Sequence, residues 1–507
     1  MTDVKLNPMP DPALGQAMAA WERERTLDPE NWEAIRSLGH RMVDDMMSYL
    51  EGVRERPVWQ PVPATARAAL SRPAPRSPEG VERAYADFLE HVFPYPMGNI
   101  HPRFWGWVIG TGTPFGALAE LLAATMNPNV GGGDHGANYV EAQVLDWSKE
   151  MLGFPASASG LLVTGGSMAN LVGLTVARNT RAGADMRKKG VRGAAGPLTV
   201  YGSTEIHSSI QKAVELLGLG SESLRLIPVN DAFEIRVDLL ERAIAEDRAA
   251  GCIPICIVGS AGTVNTGAFD DLAALADIAA RETIWYHVDG AFGAIAALDP
   301  DLRPRLSGME RADSVAFDFH KWMHIPYDTG CVLVRDAKAH RDSFTLTPGY
   351  LARAERGIAA GEFWPSDYGI QLSRGFRALK VWMSLKEHGL DRFGALVRQN
   401  VAQAKYLERL VRASPELELL APVPLNIVCY RYRPHGMEPA ALDGVTNEIL
   451  VRLHEQGIAV PSTASLGGRS AIRVSITNHR TRREDLDLLV RETLRIGREV
   501  VAEGGAR

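Results

Sequence analysis

The chain has 507 residues, and 55 Lys+Arg against 61 Asp+Glu leave a formal net charge of −6. That length exceeds one ordinary compact core, and so balanced a charge gives no global pull toward nucleic acid or an anionic membrane. With 46% hydrophobic and 23% charged residues, the composition is that of a globular protein and excludes wholesale disorder.

The start, Met1-Thr2-Asp3-Val4-Lys5, has no basic segment followed by an apolar one, so no secretory leader is expected. No apolar run reaches the roughly 18 residues that a membrane-spanning helix needs. Cys252, Cys256, Cys331 and Cys429 lack CxxC spacing and are too few for a disulfide framework. These features together predict a cytoplasmic protein with free thiols.

In chain order, the first helix is expected from Asp28. Asp28 would be the N-cap, Pro29 the first helical residue, and Glu30 would favour the positive helix end. Trp32, Ile35, Met42, Met46, Tyr49 and Val53 then make one apolar stripe. Pro57 and Pro61 end it, and residues 61–80 read as an extended connector. The stripe needs a covering surface, which either a second subunit or the chain's own main domain would supply.

From about 100 to 385, short apolar runs alternate with helical stretches. The runs are Leu161–Val163, Leu198–Tyr201, Leu224–Val229, Ile253–Val258, Ile284–Val288, Ser314–Phe317 and Cys331–Val334. Helices are expected at Met168–Arg181, Ser208–Leu217 and Leu272–Arg281. This alternation predicts an α/β domain with a mostly parallel sheet covered on both faces. The last segment reads as helix Leu390–Ser414, strand Ile427–Tyr432, helix Leu442–Gln456, strand Ala471–Thr477 and a helix from Arg483. The expected division is therefore an arm at 1–99, a large domain at 100–385 and a small α+β domain at 386–507.

Four spots in the large domain carry chemistry. Thr164-Gly165-Gly166-Ser167 lies between a strand and a helix, where free amide groups can seat a phosphate; it also reads as an ordinary tight turn. His207 follows a strand, at the end where α/β sheets place ligands, though a structural histidine fits there too. Asp289, in His287-Val288-Asp289-Gly290-Ala291, ends an apolar strand and is costly to bury unpaired, unless it caps the next helix. Lys321 stands among aromatic residues in Asp318-Phe319-His320-Lys321-Trp322, where desolvation favours the nucleophilic amine. His320 and His324 also have an i, i+4 spacing that a metal could use, but no carboxylate follows at a useful distance.

In this order the four spots form one kit: phosphate seat, ring-stacking histidine, buried carboxylate and lysine. Pyridoxal 5'-phosphate needs all four. A nicotinamide reading fails, because Gly110-Thr111-Gly112-Thr113-Pro114 has the wrong spacing for a dinucleotide fingerprint.

On these segments the chain resembles the group II pyridoxal-phosphate-dependent amino acid decarboxylases, the aromatic-L-amino-acid decarboxylase family. His101-Pro102-Arg103-Phe104, Leu372-Ser373-Arg374-Gly375-Phe376-Arg377 (expected as a post-loop helix) and Ile472-Arg473-Val474-Ser475 extend the likeness over nearly the whole chain. The resemblance implies a fold type I large domain and a homodimer with sites at the subunit interface. It implies that Lys321 holds the cofactor as a Schiff base, Asp289 pairs with the ring nitrogen, and His207 and Ala291 cover the ring's two faces. Gly165, Gly166, Ser167 and His320 would bind the phosphate, and Ser260 would stand beside Asp289. The implied reaction is decarboxylation of an L-amino acid, by family frequency an aromatic one, to the amine and CO2.

The sequence departs from the family pattern at three places. Asp318 replaces an Asn near the phosphate; a carboxylate there would repel phosphate, so it is expected to point away or pair with a base. The pocket wall, expected at Trp105, Trp107 and Val108, differs from the family's. Gly131-Gly132-Gly133-Asp134-His135 replaces a bulkier run, which predicts a roomier pocket. The family's closing loop, about Gly349–Gly369, carries a Tyr that returns a proton to the substrate carbon. Here Phe363-Trp364-Pro365-Ser366-Asp367-Tyr368 leaves only Tyr368, offset by sequence. A decarboxylating aldehyde synthase of the same family is therefore the second reading. An acidic substrate would want a pocket Arg, for which Arg103 is the one candidate.

Overall fold

The computed structural model describes residues 26–346 and 353–504. Two compact units emerge. One is the described part up to Gly52 with Pro75–Ala86, and the other is Val53–Ala74 with the described chain from Asp87.

In the first unit the helix is Trp32–Glu51, and its cap is Asn31, not Asp28. The Asn31 side chain accepts from the amides of Glu33 and Ala34 at 3.0 and 3.1 Å. Asn31 caps as well as Asp and stands next to the stripe, so the helix starts there. The expected connector at 61–80 is corrected too: Ala64–Ala69 is a short helix, as its alanine content favours.

The second unit holds twelve strands. They are β1 (Phe104–Trp105), β2 (Ser159–Val163), β3 (Leu198–Ser203), β4 (Leu224–Ile227), β5 (Ile253–Ser260) and β6 (Trp285–Asp289). Then come β7 (Ser314–Asp318), β8 (Gly330–Val334), β9 (Leu417–Leu419), β10 (Ile427–Tyr432), β11 (Val460–Leu466) and β12 (Arg469–Ser475). The large sheet has the order β2-β8-β7-β6-β5-β3-β4. Only β8 runs against its neighbours β2 and β7; the other pairs are parallel. The strands are apolar throughout because both faces are covered. Leu162, Ile257 and Leu333 enter one core, while Leu161, Val163, Val258 and Val332 enter the other. β4 stops at Ile227, short of the expected Val229, because Pro228 has no amide to continue the ladder.

The small sheet has the order β1-β11-β12-β10-β9. Its strand β11 went unread in the sequence. β1 joins this sheet in parallel with β11, which fixes the segment just before Trp107. The expected helix Leu390–Ser414 is longer, Arg377–Ala413, with a break at Gly389 where φ is 69°. Leu372–Phe376 is not helical; it leads into that helix.

Candidate active site

The carboxyl ends of the parallel strands converge, as ligand sites in such sheets require. Ser260 ends β5, Asp289 ends β6 and Asp318 ends β7, while Gly165 follows β2 and His207 follows β3. Ser260 and Asp289 are register partners across β5 and β6.

The glycine turn is built for close approach. Gly165 has φ 155°, a conformation side chains rarely adopt, and a Cβ there would stand 3.1 Å from His320 Cε1. A Cβ on Gly166 would meet Asp318 Oδ2 at 3.0 Å and Ala291 Cβ at 3.3 Å. Gly166 opens the helix Gly166–Arg181, whose first amides have no partner within the helix. Ser167, beside it, is exposed. A cradle of backbone donors at a positive helix end therefore faces Ala291 and His320.

Asp289 is buried, and among the described residues it pairs with no cation. Its carboxylate accepts from Asn170 Nδ2 at 3.0 Å and from the Ala291 amide at 3.1 Å. Behind it runs an ordered relay. Trp285 Nε1 donates to Ser314 Oγ at 2.8 Å, and Ser314 Oγ lies 2.8 Å from His287 Nδ1. His287 Nε2 lies 2.9 Å from Asn170 Oδ1. Because Asn170 Oδ1 can only accept, His287 carries its proton on Nε2 and takes the Ser314 hydroxyl on Nδ1. Burial pushes His287 down to about 4, so it is neutral at physiological pH. Neutral donors thus hold Asp289 and leave its charge for an incoming N–H. Asn170 carries no mark in the sequence beyond its place one turn into the helix after the glycine seat.

His207 is set by the same network. The Ser209 amide donates to His207 Nδ1 at 3.2 Å, and Ser209 Oγ is 2.8 Å away. The imidazole proton is therefore on Nε2. Asn170 Nδ2 also donates to Ser209 Oγ at 2.9 Å, which ties His207 to Asp289. Burial lowers the His207 pKa, Asp289 and Asp318 pull it up, and Lys321 pushes it down, so these four groups share one field.

The His320-Lys321-Trp322 turn sends its three side chains in different directions. Trp322 is buried and donates to Asn400 Oδ1 at 2.9 Å. His320 Nδ1 accepts from the Thr329 amide at 3.1 Å, and its ring lies 4.3 Å from that of Tyr327. Lys321 Nζ stands 3.1 Å from Asp318 Oδ2, with His320 Nε2 3.7 Å from the same oxygen. Asp318 thus pairs with a base, and Lys321 is not an isolated desolvated amine. His324 does not join His320; it turns to Thr111 at 3.3 Å and to His479. Among the described residues no three His, Cys, Asp or Glu side chains are grouped to hold a metal.

The expected pocket wall needs correction. Trp105 is 1% exposed in the core under the small sheet, its indole bonded to Thr481 Oγ1, and Val108 is buried in the core under the large sheet. β1 pairing turns Trp105 inward, and only Trp107 is exposed, at a strained φ of 51°. Arg473, another residue whose role went unread, holds Trp107 in place. It donates to the Trp107 carbonyl at 3.0 Å, to Ser462 Oγ at 3.2 Å, and to the Val264 and Asn265 carbonyls. The glycine run does not leave open room either: a Cβ on Gly132 would overlap the Trp364 ring at 2.1 Å. Trp364 fills the space the missing side chains vacate.

Of the expected closing loop, residues 349–352 lie outside the described residues. Tyr368 packs against His340 and Phe363, with ring centroids at 5.0 and 5.8 Å, and is not gathered with the Lys321 group in this chain. Arg103 is half-buried, with Arg54 and Asp485 near it.

A glycine cradle, a carboxylate that accepts from neutral donors, a histidine presenting its Nε2–H and a lysine beside the cradle fit pyridoxal phosphate. This is the site of a pyridoxal-phosphate enzyme on an α/β sheet.

Comparison with known proteins agrees. Residues 63–433 match the pyridoxal-dependent decarboxylase conserved domain, and the chain belongs to that family. It is 33% identical over 472 residues to the aromatic-L-amino-acid decarboxylase of Bacillus atrophaeus, covering 92% of this chain and 96% of that one. It is 30% identical to the phenylacetaldehyde synthase of a Rosa hybrid cultivar, covering 91% and 92%. The crystal structure of Oryza sativa TDC with PLP and tryptamine superposes with a TM-score of 0.86 at 28% identity, covering 94% of this chain and 100% of that chain. The fold is therefore type I, the cofactor is pyridoxal phosphate, and the protein is an amino acid decarboxylase, a lyase. No described helix is long and apolar enough to cross a membrane.

Proposed function

We propose that the substrate is an aromatic L-amino acid and that the products are its amine and CO2. The carrying observation is Lys321 beside the Gly165–Gly166 cradle, in one field with His207 and Asp289. The similarity to the Bacillus aromatic decarboxylase supports the substrate class.

When bound, pyridoxal phosphate supplies an aldehyde carbon for a lysine and a ring that accepts the electron pair left by departing CO2. Lys321 would hold it covalently. Gly165, Gly166, Ser167 and His320 would hold its phosphate, and Ser260 and Ala291 would flank its ring. Asp289, which pairs with no cation among the described residues, would hold a proton on the ring nitrogen. The relay through Asn170 and His287 keeps that carboxylate aimed. His207 presents Nε2–H and can give or take a proton at the substrate. Trp107, pinned by Arg473, borders the substrate space. Tyr368 would return the final proton, from the second subunit of a cytoplasmic homodimer.

A second reading has its own observation. Around the place where the family carries its proton-returning Tyr, this chain reads Phe363-Trp364-Pro365-Ser366-Asp367-Tyr368 with Tyr368 offset, and one relative is a phenylacetaldehyde synthase. Both readings are tested by a panel of L-amino acids assayed at once for CO2, amine, aldehyde and hydrogen peroxide. Amine equal to CO2, greatest with an aromatic substrate, is the expected result. Aldehyde and peroxide matching CO2 would replace it with the synthase.

A further inference from the structure

We propose that Asp318 is the counter-ion that receives Lys321 whenever its amine is free, and that it opposes the cofactor-loaded state. This rests on the reading of Lys321 as the cofactor lysine. Asp318 is 1% exposed, and its Oδ2 is 3.1 Å from Lys321 Nζ. Its Oδ1 is buried with no hydrogen-bond partner. The carboxylate forms one wall of the glycine cradle: Cβ atoms on Gly166 and Gly330 would fall 3.0 and 2.6 Å from its oxygens.

A buried carboxylate depends on its cation, and here the Lys321 ammonium is the nearest one. The pair is intact while Lys321 is free. It is lost when Nζ is carried off into an imine, and a phosphate in the cradle then adds a second negative charge against the same wall. Substrate exchange restores the pair. The substrate ammonium gives up two protons as its nitrogen forms the new protonated C=N bond. The Lys321 C=N bond breaks, and Nζ, keeping the one proton it carried there, takes up those two and leaves as ammonium. Asp318 stands where that ammonium returns. It acts through Lys321 and is a positioning residue.

Two equilibria should therefore shift in opposite directions in Asp318→Asn. Pyridoxal phosphate should bind the cofactor-free variant about tenfold more tightly, because the ion pair it must break is gone. The methyl ester of an L-amino acid exchanges with the lysine but has no carboxylate to lose. It should bind the loaded variant about tenfold more weakly, because the released ammonium has no counter-ion. Both are read by absorbance titration of the bound cofactor, and Asp318→Ser repeats the test should the Asn variant not fold. Opposed shifts support the proposal. Shifts in the same direction, as general damage would give, or no shift, overturn it. Borohydride reduction and peptide mapping accompany each titration. A label on another residue defeats the reading of Lys321 itself, whereas a label on Lys321 without opposed shifts defeats only the role of Asp318.

Discussion

Asn170 shows how much of this site is carried by a residue with no chemistry of its own. It is 1% exposed and joins His287, Asp289 and Ser209 through one amide. Removing the amide leaves a buried His287 N–H and a buried carboxylate short of a partner. Asn170→Ala should lower kcat by about 10–100-fold. Steady-state decarboxylation kinetics check this, and an unchanged kcat would mean the relay is ornamental to Asp289. The residues proposed to hold the cofactor could be picked out in sequence because each ends or follows a strand with a distinctive neighbour. Asn170 was not, since inside a helix it looks like any polar residue until the fold brings Asp289 to it.

Among the elements, one buried ion pair ties three segments together. Arg374 and Glu141 are 1% and 0% exposed and bond bidentately, and Arg374 also donates to the Val130 carbonyl at 2.7 Å and the Leu162 carbonyl at 2.6 Å. This joins the glycine run, the end of β2 and the segment entering the long helix. Arg374→Ala would strand Glu141 without its cation and should cost about 3–5 kcal/mol of stability. Urea unfolding measures it, and a loss below 1 kcal/mol would show the pair to be dispensable. Strand positions in the large sheet were readable because burial on both faces leaves unbroken apolar runs. β11 was not, because its sequence, Val460-Pro461-Ser462-Thr463-Ala464-Ser465-Leu466, is half polar and carries a Pro. Trp105 misled for a related reason: an aromatic residue near a pocket motif has no mark saying which side of its strand faces the core.

Across the whole molecule, buried neutral histidines set the response to acid. Burial lowers His101, His287 and His479 to about 4 and His340 to about 3, and His324 lies well below its ordinary value. Between about pH 6.5 and 4 the unfolded chain binds protons at these five sites that the folded chain refuses, so stability falls as pH falls. Asp270, which burial raises to about 6, and Asp313, which burial also raises, oppose this, and their contribution is lost as pH rises. Five histidines outweigh two carboxyls. The melting temperature should drop steadily from pH 7 to pH 5, and a rise on acidification would contradict the burial of these rings. None of this was legible from composition, because 13 histidines in a chain do not say which are inside.

Lys321 as the lysine that carries the cofactor is open to direct test. Protein loaded with pyridoxal phosphate is reduced with borohydride, digested and mapped by mass spectrometry. A single phosphopyridoxyl group on Lys321, absent from Lys321→Ala, is the expected result. A fully loaded protein whose label falls elsewhere, or that takes no label, would contradict it.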